Sequence, residues 1–181
     1  MKQSILTPKE ASKILNYVFD TLKMSAAFHK DVERTIGYFD GVKYESDTQF
    51  LMRIMVRTVV ESTDALIFRI RKLTRELIRL RGVEKELPPK PNKKKTNLRY
   101  IFQVFALAFD SSFEIKEDDE KLKDYSEARD IRDRITHPKK LSDLNISGMD
   151  YVKIADTYIW FTECLKKVIE QSKRFAKPQN Q

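Results

Sequence analysis

Between Ser46 and Gly82 the apolar residues Phe50, Leu51, Ile54, Met55, Val59, Leu66, Ile70, Leu73, Leu77 and Leu80 recur at helical intervals, and no proline interrupts them. That spacing sets them along one side of a single α-helix of about ten turns. Ser46-Asp47-Thr48-Gln49 reads as its capped start, with Gln49 in the capping-box position, and Gly82 as its stop. Four Gly and six Pro among 181 residues are too few for a turn-rich β protein, which favours long helices throughout. The polar side of this helix carries Arg53, Arg57, Arg69, Arg71, Arg75, Arg79 and Arg81. We read it as a solvated face whose stems lie over apolar neighbours, in preference to a binding stripe.

The rest of the chain keeps the same period. Thr7-Pro8-Lys9-Glu10 combines a threonine N-cap, a proline at the first helical position and a glutamate three residues after the cap. The helix it opens is expected to reach Phe28 or beyond, with a turn at Gly37 to Gly41 and an aromatic loop (Tyr38, Phe39, Tyr44) packed on the bundle. Val83 to Thr96 is a basic, Pro- and Lys-rich loop that cannot continue a helix. Its lysines suit either a solvated connector or contacts to phosphates.

A third helix, apolar on most sides, starts near Thr96, and acidic residues Glu117 to Glu120 open a fourth that runs to His137-Pro138. Ser147 with Asp150 caps a fifth, whose buried set is read as including Val152, Ile154, Tyr158, Ile159, Cys164 and Val168. No strand pattern and no internal repeat are present. The expectation is an all-α antiparallel bundle of about five helices, one domain over residues 1–181 around one core.

The net charge of +8 suits a polyanionic partner such as nucleic acid or an acidic membrane surface, without separating the two. Charges interrupt every apolar stretch, so no membrane span is expected, and Met1 to Pro8 lacks the apolar core of a signal peptide. A cytoplasmic location follows as the expectation. The single cysteine, Cys164, lies in an apolar helical run and reads as a core thiol. His29, between Phe28 and Lys30, reads as a surface or capping histidine.

The chemistry concentrates in Ala128-Arg129-Asp130-Ile131-Arg132-Asp133-Arg134-Ile135-Thr136-His137-Pro138-Lys139. Asp133 and His137 are four apart and share a helix face. Pro138 disfavours helical geometry at His137, so the imidazole projects from the helix end. An imidazole to move a proton, a carboxylate to orient it and a guanidinium to hold phosphate together suit a phosphodiester. The purely structural alternative is a network at the helix C-terminus, with the dipole favouring His137 and Asp133 holding it.

Arg132, four intervening residues and His137, with Asp133 directly after the arginine, resemble the Arg-x4-6-His signature of HEPN domains. The resemblance implies a helical bundle with the motif late in the chain, and a metal-independent endoribonuclease of the toxin–antitoxin or phage-defence type. Its substrate would be RNA, cleaved to 2′,3′-cyclic phosphate ends. It implies His137 as base or acid, Arg132 on the phosphate and Asp133 as orienter, with Arg129 and Lys139 as further phosphate contacts. Neither a metal nor another cofactor is called for.

Arg132 and His137 stand about 140° apart around an ideal helix, so one helix does not turn both toward one substrate. Either the helix end unwinds or a homodimer completes the site, and the family is dimeric. Glu61 and Asp64 sit in the apolar-rich middle of the second helix and need partners if they face inward; Arg129 and Arg132 are the natural ones, with Glu61 a supporting carboxylate. The rival readings are a non-catalytic HEPN-like module pairing with a nucleotidyltransferase or antitoxin, and a basic helical adaptor that holds nucleic acid by charge alone.

Overall fold

The computed structural model describes residues 7–38, 45–90 and 98–172. Five α-helices account for most of them: α1 (Pro8–Gly37), α2 (Glu45–Arg81), α3 (Leu98–Phe109), α4 (Glu120–Thr136) and α5 (Gly148–Glu170). Short 3-10 turns occupy Glu84–Glu86 and Leu141–Leu144. The described residues hold no strand, only an isolated antiparallel bridge between Ser111 and Ser172. The chain is all-α.

Helix ends follow from local chemistry. α1 starts at Pro8, where the Thr7-Pro8 pair predicts it, and runs on past Phe28 to Gly37. α2 stops where Gly82 adopts φ 64°. There the Gly82 amide donates to Arg79 and the Val83 amide to Ile78, a Schellman closure. α3 ends the same way without glycine. Asp110 takes φ 54°, and the Asp110 and Ser111 amides donate to Leu107 and Ala106. Aspartate is among the few side chains that tolerate that region. At α5 the Asp150 amide donates to Ser147 Oγ (3.1 Å) and the Ser147 amide to Asp150 Oδ2 (3.3 Å), a reciprocal capping box. α2 departs from expectation at its start: helix begins at Glu45, and Gln49 spends its amide elsewhere. The basic loop is described to Lys90, and its residues 91–96 lie outside the described residues, as do Phe39 and Tyr44 of the aromatic loop.

The chain gathers into two compact units that draw on the same long helices. The first comprises Met1–Leu22, Ile67–Asp119 and Glu163–Gln181. Its buried side chains include Leu73, Leu77, Ile101, Cys164 and Val168. Phe105 meets Phe102 and Phe109 edge-on, with centroids 6.4 and 4.8 Å away. Arg81 donates to the carbonyls of Leu107 and Ala108 and Ser172 to that of Phe109, so the last turn of α3 is satisfied by side chains.

The second unit comprises Lys23–Leu66 and Glu120–Thr162. Val32, Met55, Val59, Ala128, Ile135, Ile154 and Tyr158 belong to its core. Lys153 of α5 pairs with Glu127 and Asp124 of α4 in this unit. Val152 and Ile159, read from sequence as buried, are 56% and 53% exposed. The buried stripe of α5 instead follows Ile154, Tyr158, Phe161, Cys164 and Val168, which leaves positions 152 and 159 on the opposite side.

Candidate functional site

α4 sets Arg129 and Arg132 three residues apart, hence on one face. Both reach Asp64 of α2, in the second unit. Arg129 Nη1 donates to Asp64 Oδ1 and, at 3.0 Å, to the Tyr125 hydroxyl; Arg132 Nη2 donates to Asp64 Oδ2 at 3.4 Å. One carboxylate thus holds two guanidinium groups, all three side chains being 23–34% exposed. Burial works against the charge of Arg129, but the Tyr125 hydroxyl and the Asp64 carboxylate outweigh it and raise the guanidinium above its ordinary pKa.

Asp133 lies on the same helix, its Oδ1 3.1 Å from the buried Nε of Arg132. The direction is wrong for a hydrogen bond, so this contact is Coulombic. Two arginines and two aspartates therefore form a charge-balanced group.

His137 is the first residue beyond α4. Its amide donates to the Asp133 carbonyl at 2.9 Å, closing the last helical turn, and the residue is exposed. The Asp133 carboxylate turns to Arg132, and the imidazole has no side-chain partner among the described residues. Lys139 and Lys140 follow in an exposed bend whose shape is fixed by Asp143. Its Oδ2 accepts both lysine amides, at 2.8 and 3.1 Å. Those amide bonds, the Lys139 one foremost, hold the Asp143 carboxyl below the ordinary aspartate range.

The rest of the 137–147 segment is tied down from α2. Gln49 and Ile146 exchange two bonds of 2.9 Å each, Arg53 donates to the Leu144 carbonyl (3.2 Å) and Arg57 to that of Ile135 (3.4 Å). Positions 49, 53 and 57 form one stripe on a helix. Arg53 and Arg57, read from sequence as part of a solvated face, clamp the end of α4 and the loop after it. Glu61 continues that stripe but is exposed, and the arginines go to Asp64. What separates the two carboxylates is packing: Asp64 is partly buried where Glu61 is exposed.

The other chemistry-bearing residues have surroundings of their own. Cys164 is buried and free, its thiol pushed up to about 12 by burial, as suits a core thiol. His29 pairs with Glu33 at 3.3 Å and stacks on Tyr158, centroids 6.3 Å apart. Glu117 pairs with Arg99 at 3.0 Å. Among the described residues no cluster of three or more His, Cys, Asp or Glu is placed to hold a metal ion, and no helix is long and apolar enough to cross a membrane. No family model, curated protein or solved structure matches the chain.

Proposed function

We propose that the chain is a HEPN-like, metal-independent endoribonuclease of the toxin or defence type, acting as a cytoplasmic homodimer on RNA. The observation that carries the reading is His137. Its imidazole stands exposed at the first position past α4, beside exposed Lys139 and Lys140, on a segment anchored by Gln49 and Asp143. Histidine is the residue type best suited to proton transfer near neutrality.

In this reading His137 takes the proton of a ribose 2′-hydroxyl while that oxygen attacks phosphorus. The bond to the 5′-oxygen breaks, and the leaving oxygen takes up a proton from the imidazolium of a second His137. The products are a 2′,3′-cyclic phosphate and a 5′-hydroxyl. Arg132, with Arg129 and Lys139 near it in the chain, stabilises charge on the transferring phosphoryl group. A two-fold axis brings two copies of the motif to one cleft, which answers the 140° offset of Arg132 from His137.

The Asp64 network favours a second reading. The positive charges of Arg129 and Arg132 are already met by Asp64 and Asp133, which suits a motif that fixes structure or binds a partner. That reading is a non-catalytic HEPN-like module working with a nucleotidyltransferase or antitoxin. Incubation of purified protein with diverse labelled RNAs in EDTA, beside His137→Ala, separates the two. Cleavage lost in the variant supports the ribonuclease. Folded but inert protein supports the module, and inert protein with steeply salt-dependent RNA binding supports the basic adaptor.

A further inference from the structure

The first unit carries a cavity of about 190 Å³ that the ribonuclease reading does not use. α1 lends it Lys13, Ile14 and Tyr17; α2 lends Lys72, Leu73, Glu76, Arg79 and Leu80. These positions follow helical spacing on both elements, so each helix presents one continuous face to the cavity. The aliphatic side chains make an apolar floor, with Leu73 only 4% exposed.

The polar groups around that floor are unbalanced. Arg79 is paired with Glu76 at 3.1 Å. Lys13 and Lys72 have no carboxylate partner among the described residues. The Lys72 ammonium sits 5.7 Å from the Tyr17 ring centroid, and the Arg69 guanidinium 4.8 Å from it, so cationic charge gathers on one aromatic ring. The Tyr17 hydroxyl is buried and has no hydrogen-bond partner among the described residues. A buried hydroxyl without a partner is costly, and an acceptor supplied by a ligand would relieve it.

We propose that this cavity binds a short amphipathic anion, its apolar body on Ile14, Leu73 and Leu80 and its oxyanion headgroup held by Lys13, Lys72 and the Tyr17 hydroxyl. The size selects a small ligand, since the cavity is below the roughly 300 Å³ at which sites for drug-sized molecules begin. The aliphatic floor selects a hydrocarbon body over a nucleobase, whose edges would find few partners there.

Calorimetric titration of the full chain tests this, with octanoate and octyl phosphate below their micellar concentrations as the two headgroup arms. Inorganic phosphate and octyltrimethylammonium are the controls. Saturable one-to-one binding of an anionic amphiphile is expected, and the tighter of the two assigns the headgroup. Lys72→Gln is expected to weaken it roughly tenfold, the loss of one charge-assisted bond. Lys13→Gln serves as a second variant, and Tyr17→Phe should weaken binding by a smaller factor. Unchanged far-ultraviolet circular dichroism in the three variants ties those losses to the site. Three results would overturn the proposal: no saturable binding of either amphiphile, equal affinity for inorganic phosphate or for the cationic amphiphile, or full affinity in folded Lys72→Gln and Lys13→Gln.

Discussion

Asp64 of α2 and Arg129 of α4 meet side chain to side chain although 65 positions part them in the chain, and the same carboxylate also receives Arg132. This triad fixes the face of α4 that carries Arg129 and Arg132. Removing the shared acceptor leaves two partly buried guanidinium groups, Arg129 with the Tyr125 hydroxyl and Arg132 with Asp133. Asp64→Ala is therefore expected to cost about 1–2 kcal/mol, between an exposed and a buried ion pair. Glu61→Ala, one turn earlier and exposed, should stay within about 0.5 kcal/mol of wild type. Urea denaturation midpoints with unchanged slopes check both, and equal losses would remove Asp64 from its special place.

Gln49 fastens the loop after α4 from a distance. Its amide oxygen accepts from the Ile146 amide and its nitrogen donates to the Ile146 carbonyl, while Ile146 is only 2% exposed. Gln49→Ala strands both backbone groups, at an expected cost of about 1–3 kcal/mol. Gln49→Glu keeps the acceptor and loses the donor, so its loss should be smaller. Thermal unfolding of the two variants ranks them, and the reverse order would contradict the bonding described.

The bend that presents Lys139 and Lys140 should depend on pH through Asp143. Its carboxyl is held below the ordinary aspartate value by the two lysine amides, so the folded state binds the proton more weakly than the unfolded one. The contribution is present above the ordinary aspartate value and disappears as pH falls through and below it. Amide exchange protection at Lys139 and Lys140 should fall over that acidic range in the wild type. Asp143→Asn should show low protection at every pH.

Cys164 provides a sign-reversed case. Burial raises its thiol to about 12, so the folded state favours the neutral form. Whatever stability this lends is present below the ordinary thiol value of 9.0 and declines as pH rises from there toward 12. At neutral pH a thiol reagent should label native protein very slowly and unfolded protein at once. Rapid native labelling would place Cys164 at the surface.

Legibility from sequence divides along physical lines. Helices with strong local signals were readable: Thr7-Pro8 opens α1, Ser147 with Asp150 opens α5, and Gly82 closes α2, because a cap or a left-handed residue acts within a few positions. The apolar run that ends at Phe109 marks where α3 stops, but the left-handed aspartate that closes it, Asp110, is known only once the chain is folded. Gln49 mimicked a capping residue, yet its partner Ile146 lies 97 positions away. No local pattern encodes such a contact. Arg53 and Arg57 were indistinguishable in sequence from Arg71 and Arg75, which are exposed; only the end of α4 and the loop after it give the first two their carbonyl partners. Asp64 and Glu61 had the same claim on Arg129 and Arg132 until the faces of α2 were fixed by packing.

In the proposed reaction His137 moves a proton at a scissile phosphate. The direct measurement is cleavage of an end-labelled RNA in EDTA, with product ends identified, by wild type and by His137→Ala. A matched substrate carrying 2′-deoxyribose at the cut position is run in parallel. Expected are 2′,3′-cyclic phosphate ends from the wild type, none from the variant at equal fold content, and no cut at the deoxy position. Cleavage that persists in His137→Ala, or that proceeds equally at the deoxy position, would contradict it.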